Sequence, residues 1–331
     1  MNNPDTKVLG IGNALIDIMI ALPDDSLLEQ LGLPRGSMTL VDKVRSSEIF
    51  TATKPYQKVI TTGGSAANTI HVLSGLGQSC GYAGKIGKDE LGSLFASEFT
   101  SKGIQVHLPV SESDTGRVMA MVSPDSERTM ATYLGAAAEL TPSDFPAGVF
   151  SGYRLVYVEG YLVQDHKLIE TIVKTASSLG KIVALDLSSY NIVQQNLSFL
   201  TGIIRDYVQI VFANEEEAFA FTGENPSSAV RTMAALCDLA IVKTGKYGSL
   251  AGTKEETIRI QPVPADAVDT TGAGDSYAAG FLFGYLKGLP LSKCGDIASL
   301  VSSRMVEIMG AKLSESQWTE IIHSVNRIEK L

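Results

Sequence analysis

The run Asp269-Thr270-Thr271-Gly272-Ala273-Gly274-Asp275 has the residue types of a loop that grips an anion and handles a proton. It leads straight into Ser276-Tyr-Ala-Ala-Gly-Phe-Leu-Phe-Gly-Tyr285, a helical stretch whose glycines at 280 and 284 suit tight packing. Unpaired N–H groups and the positive dipole end at such a helix start favour a phosphate. Gly272 and Gly274 let the backbone come close to it without Cβ obstruction. A carboxylate beside an anion site is repelled unless it moves a proton or positions a nucleophile, so Asp275 reads as a base. Its place at a helix start predicts a lowered pKa and hence a weak base. Phosphoryl transfer tolerates that, because positioning counts for more than early deprotonation.

Two neighbouring chemistries fit less well. The chain has no G-x-x-x-x-G-K-[ST] run, so the phosphate loop is not of the Walker type. Gly10-x-Gly12 is followed by Leu15 where a dinucleotide fold needs its third glycine, which weakens a hydride-transfer reading.

The elements that must position these groups are legible from residue 150 onward. Short apolar runs begin at Leu155, Ile182, Val208 and Leu239, each followed by a polar residue and then a helix-like stretch. That spacing predicts successive βαβ units, and the near-continuous apolar strands predict a doubly wound, mostly parallel α/β sheet with helices on both faces. Ligands bind outside the carboxyl ends of such strands, where Glu159, Asp186, Asn214 and Thr244 fall. Residues 18–22 and 38–41 read as short strands. Residues 118–122 and 128–134 flank Ser123-Pro-Asp-Ser126 and read as a β-hairpin. These pieces predict a small β-sheet lid, built from residues 18–41 and 115–134, beside a large domain of residues 1–17, 42–114 and 135–331.

Composition bounds the partners. The chain has 331 residues, room for about two domains. With 36 acidic against 27 basic residues its net charge is −9, which argues against nucleic acid as a partner. Val8 to Leu22 is interrupted by Asn13 and Asp17, so it predicts neither a signal peptide nor a membrane span. Cys80, Cys237 and Cys294 are far apart, and the four histidines are scattered, so no disulfide framework or zinc cage is expected and a cytoplasmic location is the default.

Further runs join the first in a fixed order: Gly10-Ile-Gly-Asn-Ala-Leu-Ile-Asp17, Thr62-Gly-Gly-Ser-Ala-Ala-Asn68, Asn214-Glu-Glu-Glu217, Lys243-Thr-Gly-Lys-Tyr-Gly248 and Gly310-Ala311. Together they resemble the ribokinase-like (PfkB) carbohydrate and nucleoside kinases over nearly the whole chain. The resemblance implies an enzyme, a phosphotransferase with an alcohol acceptor. It makes Asp275 the base, and the N–H groups of Gly272, Ala273 and Gly274 the anion hole for the transferred phosphoryl. Asn13, Asp17, Gly63, Gly64, Ser65, Asn68 and Tyr133 would bind substrate. Asn214, Thr244, Gly245, Gly248, Gly272 and Gly274 would border ATP. Glu217 and Asn214 would hold Mg²⁺ through water, and Asp269 and Thr271 match positions for a monovalent cation such as K⁺. Arg128, on the lid hairpin, would reach the transferred phosphate on closure.

Taken singly, these residues allow plainer readings. Asp17 can end a strand, Asn68 cap its helix, Glu217 complement a helix dipole and Arg128 stay solvated on its hairpin. Gly12-Asn13-Ala-Leu-Ile-Asp17, Glu127 to Ala136 and Glu159-Gly-Tyr161 are similar to bacterial adenosine-kinase-like members of the family. The resemblance therefore implies phosphorylation of the 5′-hydroxyl of a ribonucleoside, adenosine first. Met38, Tyr133, Leu134 and Tyr161 would line the base slot. The alternatives are a sugar kinase acting on ribose, fructose or a keto-deoxy sugar acid, and a non-catalytic nucleoside or sugar sensor. A sugar acid needs a cation near its carboxylate, and Arg117 is the candidate. The alternation Val118-Met-Ala-Met-Val122 leaves open a monomer or a homodimer paired through the lid sheet.

Overall fold

The computed structural model describes residues 7–125, 127–310 and 312–330. Its large sheet has nine strands, and the chain enters it near one side and winds outward in both directions. Val8–Ile11 lies between Leu155–Glu159 and Cys80–Ala83, with Gln105–His107 beyond the latter. On the other side of Leu155–Glu159 come Ile182–Asp186, Ile210–Asn214 and Leu239–Lys243, all parallel. Ser249–Gly252 and Thr257–Ile260 complete that edge antiparallel. The apolar runs are strands because both their faces are covered. Tyr157, Ala184, Phe212 and Ile241 pack into one core, with the helices Ser65–Gly75, Ala273–Leu286 and Leu291–Val306. Val156, Val158, Val183, Leu185 and Val211 pack into the other, under His166–Ser178, Tyr190–Tyr207 and Pro226–Ala234. Alternate residues of one strand thus serve opposite layers.

The small sheet has five strands in the order Met38–Leu40, Arg128–Gly135, Thr115–Val122, Leu15–Ala21, Lys58–Gly63. The hairpin is present, with Val122 opposite Arg128, although Ser126 of its turn lies outside the described residues. The expected boundaries need correction. Leu15, Ile16 and Asp17 already belong to the small sheet, paired with Gly63, Thr62 and Thr61. Lys58–Gly63, assigned from sequence to the large domain, is the small sheet's edge strand. Its run of Lys, Val, Ile, Thr, Thr and Gly has no apolar alternation, so only its partner reveals it. The helix Lys43–Ala52 packs on the small sheet too.

Register decides which small-sheet residues see the cleft. Val118, Met130, Thr132 and Leu134 line it, whereas their neighbours Arg117 and Tyr133 project from the opposite face.

Candidate active site

Between the strand ends and the small sheet lies a cavity of about 1710 Å³. Single-ligand sites usually span about 300–1,000 Å³, so this space suits two ligands side by side. Gly272, at φ 69°, caps the helix Ala273–Leu286 and turns the chain so that Thr270 to Asp275 line the floor. Gly280 and Gly284 lie against Ala298 and Cys294 of the next helix, which seats this helix close to it. Asp275 is held from across the cavity. Ser65 Oγ donates to its Oδ1 at 2.8 Å and Asn68 Nδ2 to its Oδ2 at 3.1 Å. Ser65 and Asn68, expected on the substrate, are thus also bonded to this carboxylate. The expected lowered pKa is also overturned. Burial pushes Asp275 up to about 6, outweighing the hydrogen bonds and the Lys243 charge that pull it down. Loss of water costs the charged form more here than the helix start returns.

A second carboxylate faces the same space. Asp17 lines the cavity and takes no hydrogen bond among the described residues. Burial pushes it up to about 6 against the charges of Lys312 and Arg128. Gly63 makes room for it, since a Cβ there would land on the Asp17 carboxyl group. Gly64, at φ 101°, turns the chain into the helix Ser65–Gly75 and would strike the Asn13 carbonyl if it carried a side chain. Asn13 itself is bound to Glu159, a residue that the sequence places at a strand end without a role. Glu159 is 1% exposed and its pKa is pushed up to about 7 by burial, against the N–H groups it accepts from Ala66 and Asn13.

At the far side, Asn214 and Glu217 form a reciprocal cap on the helix Glu215–Thr222. The Asn214 side chain accepts from the Glu217 N–H, and both Glu217 carboxylate oxygens accept from Asn214, each bond 2.8 Å. Asp186 accepts from the Ser188 N–H at 2.9 Å and from Lys243 Nζ at 3.0 Å. Burial pulls the Lys243 pKa down, but Asp186, Glu217 and Asp275 outweigh it and hold the ammonium charged. Its Nζ lies 3.1 Å from where a Cβ on Gly274 would stand, beside the glycine run. Sequence reasoning saw Lys243 only as part of a turn. No group of three or more His, Cys, Asp or Glu among the described residues is arranged to ligate a metal directly. The oxygen donors of Glu217, Asn214 and Asp186 already carry hydrogen bonds, so they fit a hydrated Mg²⁺ held through its waters.

Several expected residues are placed elsewhere. Gly245 and Gly248 border the cavity, but Thr244 does not; its Oγ turns inward to the Gly248 carbonyl at 2.9 Å. Tyr133 is not a lining residue. It stacks under the Arg117 guanidinium at 5.5 Å, and Arg117 bonds Ser46 Oγ at 2.8 Å, so both are committed to the outer face of the small sheet. Arg128 is neither solvated nor in the cavity: its guanidinium is ion-paired with Asp269. Asp269 also accepts from the N–H groups of Thr271 at 2.9 Å and Gly310 at 2.6 Å. The positive partner of Asp269 is thus the small-sheet arginine, in the place expected for a monovalent cation. Thr271 lines the floor, Met38, Leu134 and Tyr161 line the cavity as expected, and Ala311 lies outside the described residues.

A nucleoside kinase of Methanothermobacter thermautotrophicus is 32% identical over 257 residues, covering 76% of this chain and 80% of the relative. An adenosine kinase structure from Sinorhizobium meliloti superposes with a TM-score of 0.87 at 34% identity, covering 97% of this chain and 99% of that one. A probable sugar kinase from Rhizobium etli superposes equally well, with a TM-score of 0.88 at 30% identity over 97% of this chain and 98% of that one. Among the described residues no helix is long and apolar enough to cross a membrane. Residues 38–318 match the pfkB family carbohydrate kinases. The ribokinase-like sheet, the glycine run that ends in a half-buried aspartate and these matches together make the chain a member of the pfkB family, a phosphotransferase.

Proposed function

We propose that the enzyme uses ATP to phosphorylate the 5′-hydroxyl of a ribonucleoside, adenosine first. The observation that carries this reading is the mixed lining of one cavity, which brings together the Asp275 carboxylate, the acceptors Asp17 and Asn13, and the apolar side chains of Met38, Leu40, Leu134, Leu140 and Leu162. A free sugar needs the carboxylate and the acceptors, whereas a nucleoside also needs an apolar slot for its base. A sugar acid fits worse, since Arg117 faces away from the cavity.

In this reading Ser65 and Asn68 aim the Asp275 carboxylate, which takes the hydroxyl proton as the oxygen attacks. Its raised pKa makes it a better base than an exposed aspartate. The N–H groups of Gly272 and Gly274 and the Lys243 ammonium stabilise charge on the transferred phosphoryl group, whereas the Ala273 N–H, expected beside them, is given to the Thr270 carbonyl at 3.2 Å. Glu217 and Asn214, with Asp186, would hold Mg²⁺ through water, and the ion when bound neutralises phosphate charge. Arg128 acts from the lid by pinning it to the floor loop through Asp269. Water exclusion by the closed small sheet protects the donor from hydrolysis.

The test is ADP release by the purified protein with ATP and Mg²⁺, run against adenosine, other nucleosides, ribose, fructose and a keto-deoxy sugar acid, with and without K⁺. Turnover selective for adenosine is expected. Selective turnover of a free sugar would keep the fold and the floor chemistry and remove the nucleoside assignment.

A further inference from the structure

We infer that Glu159 is a positioning residue: it fixes the Asn13 amide so that the acceptor wall of the cavity reads two hydroxyl donors. The inference deepens the proposed acceptor site and rests on it. Glu159 ends the strand Leu155–Glu159 and is buried behind the wall. Its Oε1 accepts from the Asn13 backbone N–H at 2.9 Å and from Asn13 Nδ2 at 2.6 Å, while Oε2 accepts from the Ala66 N–H at 3.0 Å. Gly12 leaves space for this carboxylate, because a Cβ there would land on it.

Backbone N–H groups, which can only donate, engage both Glu159 oxygens, from Asn13 on Oε1 and from Ala66 on Oε2, so Oε1 faces the Asn13 side chain as an acceptor. The amino end of the Asn13 amide must therefore face Glu159, and the carbonyl Oδ1 must turn the other way. That oxygen has no partner among the described residues, and Asn13 lines the cavity. Asp17, four residues on, likewise offers a free carboxylate. The wall consequently presents acceptors only, and the ligand that satisfies it brings two donors, as a vicinal diol does. Reversing the amide would put a donor beside the Asp17 acceptor and favour a hydroxy-keto or deoxy pair instead. The Ala66 N–H ties the same carboxylate to the first turn of the helix that carries Ser65 and Asn68. One buried group thus sets both the wall and the holders of Asp275.

The experiment compares kcat/KM for adenosine, 2′-deoxyadenosine and 3′-deoxyadenosine in wild type, Glu159→Gln, Asn13→Ala and the double variant. A site built around a hydroxyl rejects the analogue lacking it by about 10²-fold or more. Glu159→Gln lets the amide reverse, and we expect it to shrink that preference about tenfold, chiefly through KM with kcat changed less than about threefold. In the Asn13→Ala background the Gln substitution should leave the preference unchanged, because its route is gone. Gly12→Ala displaces the same carboxylate without neutralising it, and so must lower the preference even if Glu159→Gln fails to fold. A preserved preference in Glu159→Gln and Gly12→Ala, or effects of Glu159→Gln and Asn13→Ala that simply add, would overturn the inference while the wild-type turnover upholds the nucleoside reading. If wild type takes ribose instead, 2-deoxyribose replaces the deoxynucleosides. Wild type inactive on all of them overturns both readings.

Discussion

The floor and the wall of the cavity were built in different ways. The floor is one continuous segment, residues 270 to 275, followed by the helix it starts. The wall is assembled from strands that begin at Leu15, Met38, Thr115 and Arg128, brought together only by pairing. Local chemistry suffices to aim a glycine run at the mouth of a parallel sheet. In the small sheet a one-residue change of register exchanges its faces, so Leu134 faces the cavity while Tyr133, its neighbour, stacks with Arg117 outside. In the proposed reaction the floor holds charge and the proton, and the wall chooses the acceptor.

The sharpest way to break this division is to remove the floor's base. Asp275→Asn should lower kcat by at least about 10²-fold while adenosine binding, followed by calorimetry, is retained. Lost binding with little loss of kcat would make Asp275 part of the wall instead. The link between the two regions is the next target. Arg128→Ala leaves the buried Asp269 without its cation and should cost about 3 kcal/mol of stability. It should also raise acceptor KM and speed hydrogen exchange in residues 115–122 and 128–135. Exchange that stays at the wild-type rate there would mean that the ion pair does not hold the lid.

Register can be tested within one strand. Leu134→Ala should raise KM for adenosine about tenfold, as removal of a buried aliphatic contact does, yet leave KM for ribose within about twofold. Tyr133→Phe, on the outer face, should change neither. A Tyr133→Phe variant with weakened adenosine binding would show that the strand presents the other face in solution.

The smallest effect is in pH dependence, and its sign differs between activity and stability. Asp275 must be ionised to act, so kcat/KM should fall as pH drops through about 6. For stability the order reverses. Asp17 and Asp275 titrate at about 6 and Glu159 at about 7 in the folded protein, all above their ordinary values. The folded state then binds more protons than the unfolded chain, so their contribution to stability is full below pH 4 and is lost as pH rises toward 7. Thermal melts of the ligand-free protein should show Asp275→Asn, which cannot titrate, with a shallower fall between about pH 4 and 6 than wild type. Equal slopes would mean that Asp275 is not desolvated.

Much of this was legible in the residues themselves. The four apolar runs from Leu155 to Leu239 became parallel strands because burial on both faces demands unbroken apolar sequence, and that demand is local. The glycine run announced itself by type and spacing, and Asp17, Gly63 and the Asn214–Glu217 pair through the family resemblance. What the sequence could not decide were quantities that depend on packing in three dimensions. The Asp275 pKa went up and not down because burial outweighs one helix start. Ser65 and Asn68 turned to that carboxylate because a helix distant in sequence was laid against it. Arg128 found Asp269, Lys58–Gly63 found Leu15–Ala21, and Glu159 found Asn13 only through contacts between segments far apart in sequence. Covalent neighbours determine which groups a segment can offer. Water exclusion and register, set by residues far along the chain, decide where those groups point and how they are charged.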